Sequence, residues 1–143
     1  MSATPNPFLI AAASADAVAA LLHLGCIVFG APWYRFFGAG ERMAELAEAG
    51  NRYPALISSA IAAVLLAWSA YALSGAGVIG RLPLLRIALC AIAALLLLRG
   101  FAGVPLAFMR TGRPSAFWWW SSAICIAMGA VHLIGLRQVW AQL

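Results

Sequence analysis

Five ionisable side chains interrupt long apolar stretches of this chain: Asp16, His23, Arg86, Arg99 and His132. Inside a bilayer each such residue costs about 2.5 to 3.5 kcal/mol on insertion scales, so it must find a partner, a polar cavity or a route back to the headgroups. Carboxylate, imidazole and guanidinium together supply proton exchange and anion binding. That is the chemistry of an acid/base site or of a clamp on a charged headgroup.

Heights along the apolar segments sort these residues into two groups. His23, Arg99, Ser121, Ser122 and Ser58 fall toward the connection between the first two segments, where Tyr34, Arg35 and Glu41 also lie. The expected ligand site is His23, Tyr34, Arg35, Glu41, Arg99 and Ser121, covered by the first connection as by a lid. If that site turns over a substrate, His23 or Glu41 is the candidate acid/base and Arg99 the anion stabiliser. Toward the opposite end fall Asp16, Trp68, Tyr71, Arg86 and His132, with Asp16 neutralised by Arg86 or paired with His132. His23 and His132 are assigned to opposite leaflets, so no shared metal is expected. The duller alternatives are a snorkelling Arg99, packing histidines and boundary-anchoring tryptophans in Trp118, Trp119 and Trp120. Arg86 and Arg99 point to different helix faces and are not expected to grip one ligand.

The elements that position these groups follow from composition. The chain has 143 residues, 65% of them hydrophobic and 9% charged, with a mean hydropathy of +0.96. Those values lie outside the soluble globular range and describe an integral membrane protein. Four segments reach the roughly 20 apolar residues that a spanning helix needs: residues 7–29, 54–73, 82–100 and 117–136. The expected fold class is all-α, a four-transmembrane-helix bundle in a single membrane domain. Dense small residues, as in AAASADAVAA, let helices approach closely.

The first connection carries a second pattern. In ERMAELAEAG, Glu41, Glu45 and Glu48 share one helical face while Met43, Leu46 and Ala47 share the other, which predicts a short interfacial helix over residues 41–49 closed by Gly50. The second connection is a turn. The third, from Gly100 to Met109, is either re-entrant or an extension of the third helix. An even number of spans puts both termini on one side. Arg35, Arg42, Arg52, Arg110 and Arg113 outnumber Arg81 and Arg137, which places the first connection in the cytoplasm and the termini outside.

All nine basic residues are arginines, scattered singly, so no nucleic-acid face is present. Cys26, Cys90 and Cys125 are odd in number and buried in apolar runs, which excludes a disulfide framework. No Walker, HExxH or dinucleotide fingerprint occurs, and no cofactor is implied. The alanine-rich, lysine-free composition suggests a bacterial inner membrane. Length and span number are similar to those of the small multidrug-resistance transporters, but the long first connection and the intramembrane arginines depart from that pattern. The functional expectation is a bundle that binds a lipid- or quinone-like amphipathic or apolar molecule under the first connection, with membrane lipid as its surroundings. The alternatives are a proton-coupled transporter working as a homodimer through Asp16 and His132, or a structural subunit of a membrane complex.

Overall fold

A computed structural model describes residues 4–109 and 113–143. Its helices are α1 (Pro7–Phe29), α2 (Ala31–Phe36), α3 (Glu41–Glu48), α4 (Tyr53–Gly75), α5 (Leu85–Leu106) and α6 (Ser115–Val139), followed by a 3-10 turn over Trp140–Gln142. Four of them, α1, α4, α5 and α6, are long and apolar enough to cross a membrane. This is an all-α, four-helix membrane bundle.

Local chemistry sets the helix ends. Asn6 caps α1 by accepting the Leu9 amide at 3.0 Å, and Pro7 occupies the first turn, where no amide donor is missed. Gly50, at φ +71°, closes α3: its amide reaches the Ala47 carbonyl and the Asn51 amide reaches that of Leu46, the two bonds of a left-handed helix stop. The third span starts at Leu85 rather than at residue 82. Pro83 biases Leu82 away from helix, and Leu84 is left-handed at φ 54°. The same helix then continues through Gly100 and Gly103 to Leu106, which makes Gly100 to Leu106 a helical extension and not a re-entrant turn. The span expected over 117–136 is likewise longer, Ser115 to Val139.

Packing divides the bundle into two antiparallel hairpins, α1 with α4 and α5 with α6. They are joined mainly along an α1–α6 seam, with a smaller α4–α5 contact. Only 28–33% of each span's most apolar window is buried, so the remaining apolar surface faces outward, where lipid would cover it. The inward stripe of α1 is Leu9, Ala12, Ala13, Asp16 and Ala20, a helical repeat of small residues with one carboxylate. Across the seam, Gly135 of α6 admits Leu9: a Cβ there would lie 2.7 Å from Leu9 Cγ. That close approach holds the polar face of α6 against Asp16. The start of α1 and the end of α6 lie at one end of the bundle, where the Asn6 side chain donates to Gln138 Oε1 at 2.8 Å.

Helices α2 and α3 cover the other end. Ala44 is fully buried, and Met43 and Ala47 pack with it against Cys26, Ala31 and Tyr34. The apolar face of α3 therefore rests on the bundle while Glu41, Glu45 and Glu48 stay exposed.

Candidate functional site

At the covered end the lid is held by its own bonds. Arg35 Nη2 lies 2.6 Å from Glu41 Oε1 and Arg35 Nη1 lies 2.6 Å from Glu48 Oε1. One turn of α2 and both ends of α3 are thereby tied through a single guanidinium. Hydrogen bonding from Glu48, and then Glu41, drives Arg35 still further into its charged range, and Arg35 in turn holds the Glu48 carboxyl below its ordinary value. Beneath this network the buried Tyr34 hydroxyl is 3.1 Å from Ser58 Oγ of α4, fastening α2 to the second span.

These contacts change the picture of the expected ligand site. Glu41 is turned outward to Arg35, and Tyr34 is committed to Ser58. His23 is half-buried with Nδ1 2.8 Å from the Ala19 carbonyl one turn back, so its Nδ1–H is satisfied within its own helix. The six residues therefore do not converge on one cavity: the structure pairs Arg35 with Glu41 and Arg99 with Ser121, and it leaves His23 and Tyr34 on separate partners. The space under the lid is filled by Tyr34, Ala44 and Cys26. What opens nearby is a shallow cleft of about 320 Å³ lined by Arg35, Gly38, Gly40, Glu41 and Pro114, where the turn between α2 and α3 meets the approach to α6.

Arg99 has a more unusual environment. Its Nη2 donates to Ser121 Oγ at 3.1 Å, and its Cζ lies 5.1 Å from the Trp118 ring centroid. Arg113 stands 5.8 Å from the same ring and 4.9 Å from that of Phe117, so Trp118 is shared by two guanidiniums. Arg113 also borders Gly40, which connects this aromatic step to the rim of the cleft. Among the described residues, buried Arg99 Nη1 has no hydrogen-bond partner, and neither has Ser122 Oγ. Both flank Gly103: a Cβ at that position would collide with Ser122 Oγ and lie 3.0 Å from Arg99 Nη1. Sequence reasoning placed Arg99, Ser121 and Ser122 at this height but missed Gly103. Its signal was available, since Arg99 and Gly103 are four apart and share a helical face.

The second polar group is also redistributed. Asp16 and His132 are both fully buried, with His132 Nε2 3.1 Å from Asp16 Oδ2 across the α1–α6 seam. The contact does not meet hydrogen-bond geometry, and Asp16 Oδ1 has no partner among the described residues. Arg86 is not the counter-charge of Asp16. At the first turn of α5 it reaches outward, donating to the Trp140 carbonyl at 3.1 Å and lying 4.6 Å over the Trp140 ring. Trp68 packs beside Ala20, Ala62 and Leu65, and Tyr71 beside Leu9 and Leu89.

No family model matches the chain, and neither the curated proteins nor the solved structures give a match. Function is therefore read from the chemistry of these contacts. Among the described residues no three His, Cys, Asp or Glu side chains come together to hold a metal ion.

Proposed function

We propose that this integral membrane protein binds an amphipathic molecule at the lid end of the bundle, its acceptor-bearing headgroup taken by Arg99 and its apolar part lying along α5 and α6. The observation that carries this reading is the buried Arg99 Nη1, which has no acceptor among the described residues and lies beside an equally unpartnered Ser122 Oγ. A buried donor left unmade costs about 1 to 3 kcal/mol, and more when it belongs to a charged group. A phosphate, carboxylate or carbonyl oxygen would relieve that cost, and Trp118 would remain to hold the guanidinium plane. The cleft by Arg35, Gly40 and Pro114, reached through Arg113, is the route by which a headgroup enters. Arg35, Arg42, Arg52 and Arg113 crowd this end, which supports a cytoplasmic lid and a binding site in the cytoplasmic leaflet.

The test is lipid retention. Protein in nanodiscs of phosphatidylglycerol and phosphatidylcholine is released and weighed by native mass spectrometry. Wild type should keep phosphatidylglycerol in preference, Arg99→Gln should lose that preference, and Arg137→Gln, at the far end, should not. Equal retention by wild type and Arg99→Gln, with helix content unchanged, would refute the reading.

A further inference from the structure

Asp16 and His132 have no part in that binding site. They are the two ionisable side chains with no exposed surface among the described residues, and they meet where the two hairpins join. His132 Nδ1 lies 3.0 Å from the Met128 carbonyl one turn back. A carbonyl oxygen only accepts, so Nδ1 carries a hydrogen. The variable position is then Nε2, 3.1 Å from Asp16 Oδ2. Without a proton, a carboxylate would be buried against an imidazole nitrogen that offers it no hydrogen, an uncompensated charge with no solvent at hand. One proton therefore belongs to the pair, as imidazolium with carboxylate or as imidazole with carboxylic acid, and either form is neutral overall.

Among the described residues no other charge competes for this proton. From α4 the neighbouring polar group is Ser69, whose hydroxyl donates to the Ala13 carbonyl at 2.8 Å, and Tyr71 packs a cluster away on Leu9. On α5, Arg86 is turned to Trp140, Arg99 to Ser121 and Trp118, and Cys90 to the Leu9 and Leu89 cluster. On α6, Cys125 lies toward Arg99. On α1 itself, His23 is bonded to Ala19.

The geometry points to an interior proton-binding site: its ligand is a single hydron carried by one or the other of the paired Asp16 and His132 side chains, and its occupancy clasps α1 to α6. Removing the hydron leaves a buried carboxylate against a nitrogen that offers it no hydrogen. Adding a second leaves a buried imidazolium facing a neutral acid. Either change puts an uncompensated charge on the seam that joins the hairpins, so hydron occupancy and hairpin contact are coupled. This inference is independent of the Arg99 reading.

The experiment uses full-length protein in nanodiscs, with ring nitrogen-15 spectra of His132 read on a His23→Gln background. A second readout is the distance between spin labels placed by Val28→Cys and Trp120→Cys after replacement of the three native cysteines. Nδ1 should be protonated at every pH. Asp16→Asn should convert Nε2 to a plain acceptor, and in protein that retains Asp16 the label distance should change at the pH where the Nε2 signal changes. A bare Nδ1, an Nε2 signal indifferent to Asp16→Asn, or label distances that stay fixed while the signal changes would each overturn the proposal. If Asp16→Asn fails to fold, the tautomer and the coincidence of signal and distance in protein retaining Asp16 decide it.

Discussion

Replacing Asp16 by alanine should be the most damaging single substitution in the bundle, although it removes only one small side chain. The site is fully buried, so no solvent is at hand to replace the lost carboxylate. Breaking a buried pair by deleting one partner costs about 3 to 5 kcal/mol, because the survivor is left without compensation. The lower end applies here: among the described residues Oδ1 has no partner to lose, and the Oδ2 to Nε2 contact does not meet hydrogen-bond geometry. About 3 kcal/mol corresponds to roughly a hundredfold change in the folding equilibrium. Asp16→Asn keeps the shape and lets an amide N–H face Nε2, so its cost should stay below about 1.5 kcal/mol, that of one ordinary hydrogen bond. Unfolding in mixed micelles, titrated with denaturing detergent and followed by circular dichroism, gives both values. Equal losses for Asp16→Ala and Asp16→Asn would refute the reasoning, since burial and not the missing partner would then set the cost.

Three further outcomes follow from contacts elsewhere. Gly103→Ala should destabilise the α5–α6 hairpin by about 1 to 3 kcal/mol through overpacking on Ser122 Oγ, and Ser122→Ala should recover much of that loss in the same unfolding assay. Tyr34→Phe and Ser58→Ala should each cost about 1 kcal/mol, and the double variant should cost less than the two losses added, as a double-mutant cycle would show. Because Arg35 depresses the Glu48 carboxyl, the stabilisation from that pair is present at neutral pH. It disappears as pH falls below the ordinary carboxylate value of 4.5 and through the folded one. Hydrogen exchange across α3 should therefore rise in acid for wild type, relative to the intrinsic rate, by more than it does for Arg35→Gln.

The spans were legible because twenty apolar residues in a row leave a chain little choice, and α3 because its glutamates and apolar residues repeat at helical spacing. The late start of α5 was hidden, and its extension past Gly100 stood open beside a re-entrant turn. Gly100 and Gly103 both sit inside α5, where Ile126 and Ser122 of α6 fill the space beside them. Height along the helices placed Asp16 level with His132. Height alone offered Arg86 equally, and the difference is that a long side chain at a helix end can reach an outer carbonyl and ring. The separate partners of His23, Glu41 and Arg99 have a related origin. Each group found a nearer partner, His23 in the carbonyl of its own preceding turn and Glu41 in Arg35 across the Gly38 to Gly40 turn. Such local bonds depend on rotation about helix axes and on turn geometry, which hydropathy does not encode.

A density map of the protein purified in its native lipids shows whether Arg99 anchors a bound headgroup. Elongated density should lie beside α5 and α6 with an oxygen within hydrogen-bonding distance of Arg99 Nη1. An Arg99 that meets only protein atoms, or that turns out to bulk lipid with no ordered molecule beside it, would refute a headgroup site there.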